Sequence, residues 1–175
     1  MDENKIATYY LYFDVINGPQ IINTVGNIEF TEDDLLSLKI CSFPDTVIQS
    51  STESIIFIFK VKSYYCYCIF STISDQKATR GYRQFSYVIA TKLPYFYPFT
   101  RILHSAMSLF YYMNESDILL LISDFVSKSV SIFPKEVGNE KEIPTFDGGL
   151  PVALAPSLNE LLDFTADIGW SPQCK

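Results

Sequence analysis

The chain has 175 residues, 48% of them hydrophobic, with 12 Tyr and 14 Phe. That length fits one domain able to bury about 70% of its unfolded surface, so general disorder and dependence on disulfide or metal staples are excluded. With 13 basic against 20 acidic residues, formally −7, the mean field opposes nucleic acid or an anionic membrane surface and favours a protein partner.

The opening MDENK lacks the basic and apolar regions of a secretory signal. The longest apolar runs, such as Ile55 to Phe59 and Ile118 to Ile122, fall far short of the ~20 residues that span a bilayer. Four scattered cysteines fit a reducing compartment, where the sequon Asn114-Glu115-Ser116 has no meaning. A cytoplasmic protein without a transmembrane segment is expected.

Ile6 to Ile16 (IATYYLYFDVI) is aromatic and β-branched with little alternation, as in a strand covered on both faces. Asn17-Gly18-Pro19 signals a turn, and Gln20 to Val25 a short antiparallel return. Thr31 then offers an N-cap, with Asp34 at the capping-box position and Phe30 and Leu35 at the spacing of a hydrophobic staple. A helix should run to about Cys41, ended by Phe43-Pro44-Asp45.

Three strand-like runs follow: Ser54 to Lys62, Tyr64 to Ser71 and Gln84 to Thr91, with a tight hairpin at Lys62-Ser63 and a polar loop from Ser74 to Arg83. After Lys92-Leu93-Pro94 the period becomes helical. Phe99, Ile102, Leu103, Ala106, Phe110 and Met113 form one stripe, with Pro98 near the first turn. Asn114 caps a second helix striped by Ile118, Leu121, Ile122, Phe125 and Val126.

The order β-β-α-β-β-β-α-α predicts an α/β (α+β) domain, with a central antiparallel five-stranded sheet, one helix on one face and two on the other. Residues 1–133 make this lobe. Residues 134–175 read as a charged, Pro- and Gly-broken linker with a short helix capped at Ser157 to Glu160.

Thr79 to Tyr95 (TRGYRQFSYVIATKLPY) resembles a stretch of the upstream DENN region, and Ile40 to Thr46 (ICSFPDT) resembles the segment after that family's first helix. The aromatic first strand, Gly-Pro-Gln turn and Phe-Thr-Glu helix start are similar too. Over residues 6 to 133 the chain thus resembles the longin-type uDENN lobe of DENN-domain Rab exchange factors, nearest the subgroup acting on recycling-endosome Rabs. The resemblance implies a longin-like fold and a lobe of a guanine-nucleotide exchange factor, a protein-binding module in membrane trafficking recruited to endosomal membranes. It implies a Rab-family small GTPase as partner, a downstream DENN module that 175 residues cannot contain, no cofactor and no bond chemistry. The expected contacts are Phe43, Pro44 and Asp45, and Arg80, Tyr82 and Arg83. The alternative is a longin scaffold or adaptor of a SNARE-like or adaptor-like complex, without exchange activity.

No residue pattern suggests chemistry. His104 falls on the polar side of its helix or at its margin and has no evident triad or zinc partners. Cys66 and Cys68, at strand spacing, share one face and read as small buried apolar groups, while Cys41 and Cys174 add no metal spacing. The carboxylates from Glu29 to Asp34 are explained by capping and the helix dipole. Gly81 and Gly148-Gly149 form no phosphate loop. The notable cluster is Lys77, Arg80, Tyr82 and Arg83, with Lys92 beyond. Arg and Tyr anchor many interfaces, and the bland alternative is a solvated loop.

Overall fold

The computed structural model describes residues 5–44, 54–94 and 96–130, so Asp45 and the expected linker and helix of 134–175 lie outside the described residues. Runs of β-branched and aromatic residues form the strands β1 (Ile6–Asp14), β2 (Gly18–Gly26), β3 (Ser54–Val61), β4 (Tyr64–Ser74) and β5 (Tyr82–Thr91). The helices are α1 (Glu32–Cys41), α2 (Phe96–Ser108) and α3 (Glu115–Val130). All neighbouring strands are antiparallel, in the order β2-β1-β5-β4-β3. The expected element order and five-stranded sheet are therefore present.

Successive strand residues point to opposite faces, and here both faces are apolar. One face, with Tyr10, Tyr67, Ile69, Phe85, Tyr87 and Ile89, is buried beneath α2 and α3. Those helices contribute Phe99 and Leu103, and Ile118, Leu119, Ile122 and Val126. The other face carries smaller groups, Ala7, Leu11, Cys66, Cys68, Val88 and Ala90 beside Tyr9, and meets α1 through Leu38.

Because α1 buries little else, its ends matter. Asp34 N–H donates to the Thr31 hydroxyl at 3.4 Å, and Thr31 N–H donates to the Asp34 carboxylate at 2.8 Å. This is the expected capping box, which holds amides that have no partner within a helix. The staple residues Phe30 and Leu35 both pack against the smaller-residue cluster. Lys62 Nζ also reaches Asp34 at 2.5 Å, tying the β3–β4 turn to the helix start. At the other end the Ser42 carbonyl accepts from Ser86 Oγ at 2.7 Å and lies 3.8 Å from Cys68 Sγ. The residue after α1 is thereby fixed to the inner strands β4 and β5.

Three details differ from expectation. The β4–β5 ladder runs on to Ser74 and Tyr82, so Arg83 lies in a strand and the loop is only 75–81. Helix α2 ends at Ser108: the amides of Phe110 and Tyr112 turn to carbonyls three residues back, and Phe110 stacks on Phe85 at 4.5 Å. In α3 the buried stripe runs through Leu119 instead of Leu121. No helix among the described residues is long and apolar enough to cross a membrane.

Candidate functional site

Across one end of the sheet Tyr12, Phe85, Ser71 and Ser54 are level with one another. The β1–β2 turn, the β4–β5 loop and the C-terminus of α1 all emerge there. Between the turn and the loop lies an open groove of about 360 Å3, lined by Phe13, Val15, Ile16, Lys77, Arg80 and Tyr82 among others.

Both walls are held by their own carboxylates. In the turn, Asp14 accepts from Ile16 N–H at 2.9 Å, Asn17 N–H at 2.7 Å and the Asn17 side-chain amide at 3.1 Å. The backbone bonds from Asn17 and Ile16 hold the Asp14 carboxyl below its ordinary pKa. In the loop, Asp75 accepts from Lys77 N–H at 2.9 Å and pairs with Arg83 Nε at 2.8 Å. Arg83 reaches on to Glu115 at 3.5 Å, so it joins the loop to the start of α3. Gly81, at φ +75°, makes the loop's left-handed turn, which a Cβ would strain.

The two segments singled out in sequence meet through Phe13. Its ring packs edge-on against Phe43 at 5.6 Å, and the Arg80 guanidinium lies over it at 5.6 Å. Phe43 in turn abuts Phe70 at 5.9 Å, so the floor of the groove is continuous with the core. Phe43 and Pro44 are half-buried beside this row. Tyr82 lines the groove, whereas the Arg83 side chain is committed to Asp75 and Glu115. Phe13, Val15 and Ile16 were not singled out from sequence. Their signal was the apolar pair Val15-Ile16 directly before a turn, in a run that reads as strand.

The other candidates stand apart. His104 is exposed on α2. Cys66 and Cys68 are buried on the α1 face, and burial pushes the Cys66 thiol up to about 12 and the Cys68 thiol higher than its ordinary value. Thiols held protonated in this way are poor nucleophiles and poor metal ligands. Among the described residues no three His, Cys, Asp or Glu side chains are grouped to hold a metal ion.

No family model matches the chain, and no curated protein does. Among solved structures it is similar to the longin domain of Lst4 from K. lactis, at 12% identity over 74% of this chain and 82% of that one, with a TM-score of 0.38. At that level the likeness carries no argument, and the fold rests on the strand order and helix placement described above.

Proposed function

We propose that this chain is the N-terminal longin-type lobe of a DENN-domain guanine-nucleotide exchange factor for a Rab GTPase. The observation that carries the reading is the meeting of its two DENN-like segments, at Phe43-Pro44 and at Arg80-Tyr82, around Phe13 at one end of the sheet. Segments 36 or more residues apart in sequence that form one surface make a contact face, where either alone would be a loop. Exchange of this kind breaks no bond. The factor binds the nucleotide-free GTPase better than the loaded one and so shifts its equilibrium towards release. The lobe would supply one wall of the GTPase cleft and a downstream module the other.

The test is release of labelled GDP from a panel of Rabs, with this chain alone and with the chain extended to the end of its natural reading frame. Acceleration by the extended form supports the reading, and its loss on Arg80→Glu would tie the effect to this surface. A chain that neither binds nor accelerates in either form removes it. A second reading, a longin scaffold without exchange activity, is favoured by the open edge of β3. That strand is apolar on both faces and has no strand partner on its outer side among the described residues. Edges of this kind invite another strand.

A further inference from the structure

We infer that the groove between the β1–β2 turn and the β4–β5 loop docks a short partner peptide in which a carboxylate neighbours a bulky apolar side chain. The inference rests on the reading of this end as a partner surface and specifies what the partner presents. Its first support is the state of the charges. The carboxylates of the two walls, Asp14 and Asp75, are occupied by the turn amides and by Lys77 N–H and Arg83. Lys77 and Arg80, which line the same groove, take part in no ion pair among the described residues. Asp14 keeps its negative charge, since neutral amides do not cancel it, but Lys77 and Arg80 outnumber it in the lining and have no such partner. The lining is therefore net positive, and its complement is an anion.

The second support is the apolar lining. Ile16 is 90% exposed and Val15 44% exposed, in a turn where polar residues are usual, beside Phe13. A purely acidic ligand would leave these side chains in water; an apolar side chain on the partner would cover them. Stacking over Phe13 also places Arg80 for its task, since a planar guanidinium offers a carboxylate two parallel N–H donors. The walls are fixed by hydrogen bonds within the turn and within the loop, where Asp75 N–H donates to the Gly81 carbonyl at 2.9 Å and Gly81 N–H to the Ala78 carbonyl at 2.8 Å. Little ordering is left for binding to impose.

The experiment is selection of random twelve-residue peptides on the whole chain, followed by fluorescence anisotropy of the selected peptides. Enrichment of Asp or Glu beside Leu, Ile or Phe is the expected result. Arg80→Glu and Lys77→Glu should each weaken the selected peptides roughly tenfold, and Ile16→Asp by a similar factor, with unchanged thermal melts. Peptides with Lys in place of their acidic residues should bind the Lys77→Glu, Arg80→Glu double variant better than the original chain. Selection without acidic enrichment, or binding indifferent to Arg80→Glu, would overturn the inference. So would competition by polyglutamate as good as that by the selected peptides, because the apolar lining would then contribute nothing. GDP release by the extended chain separates this from the functional reading. Peptide binding without any exchange activity leaves the groove standing and removes the exchange role. Exchange activity by the extended chain, with no acidic-apolar peptide selected by the groove, does the reverse.

Discussion

Strand β2 forms one edge of the sheet and β3 the other, and their sequences treat the same exposure in opposite ways. In β2 (GPQIINTVG), Gly18 and Pro19 open the strand, and polar Gln20, Asn23 and Thr24 interrupt its apolar residues. The register slips at Tyr10/Leu11, so Ile22 has no opposite number and turns out to solvent. A bulge, a proline and polar side chains are the usual means of refusing a further strand. In β3 (SIIFIFKV), five consecutive apolar residues run in unbroken register with β4, and the nearest charge, Lys60, lies 4.3 Å over Tyr65. Ile56 and Ile58 lean on the α2–α3 side and Phe57 and Phe59 on the α1 side, none fully buried. The lesson is that, among the described residues, this sheet is guarded on one side only, so the second, scaffold-like reading is argued from β3 and not from β2.

The largest effect is expected where the guarded edge closes. Gly26 has φ +136°, and a Cβ there would stand 2.3 Å from the Ile6 carbonyl oxygen and 2.5 Å from Ala7 Cα, both backbone atoms. Gly26→Val should cost about 3 kcal/mol or more in thermal or denaturant unfolding. A melt within 0.5 kcal/mol of the original would show that β2 is only loosely held. At the unguarded edge, Ile56→Thr should cost about 1 kcal/mol yet slow concentration-dependent light scattering. Asn23→Ile in β2 should do the opposite and hasten it. If both variants scatter alike, the two edges do not differ in the way described.

The pH dependence sharpens the same contrast, because the far end of β3 is moored through Lys62. Hydrogen bonds from Lys62 and then Thr31 lower the Asp34 pKa to about 2, against about 4 in an unfolded chain. A depressed carboxylate contributes stability that is present above pH ~4 and lost as pH falls towards 2. Asp34→Asn should flatten the stability profile in that window, measured by urea unfolding across the range. The smallest effect should come from Ile22→Thr, at the bulge of β2. Its side chain is 58% exposed, and the change should stay within about 0.5 kcal/mol by the same unfolding measurement.

Much of the fold was legible because local chemistry and tertiary structure agree. Thr31, Asp34, Phe30 and Leu35 announce α1 and do what their spacing suggests. What failed was phase. Ile118 to Ile122 is apolar throughout, so periodicity alone could not place Leu119 inside and Leu121 at the margin. The end of α2 carried no Gly or Pro, and the apolar spacing continues to Phe110 and Met113 after the helix has stopped. The groove was half legible. Arg80 and Tyr82 stood out by type, but Phe13, which joins them to Phe43, is an ordinary strand residue until β1 is placed beside β5. The formal charge was a poor guide to this surface. Asp2, Glu3, Asp45, Glu53 and seven carboxylates after residue 130 lie outside the described residues, against Lys135, Lys141 and Lys175. The remainder is close to balanced, so the local excess of Lys77 and Arg80 over Asp14 decides the sign of a small groove.

The pairing of Ile6 with Thr91 and of Tyr12 with Phe85 also sets a timetable. The hairpin β1–β2 is complete early in synthesis, but its inner side can be closed only by β5, at the ordinary pace of synthesis roughly 3 to 13 seconds later. Until then Tyr9, Tyr10 and Leu11 have no neighbour on that side, and β3–β4 is a second hairpin with its own bare edge. Joining the halves demands a contact across nearly eighty residues, which slows folding more than it weakens the product. A nascent chain that has emerged from the ribosome only as far as Tyr82 would thus offer a chaperone two hairpins with unpaired apolar edges, while one that has emerged past Thr91 could already close the whole sheet.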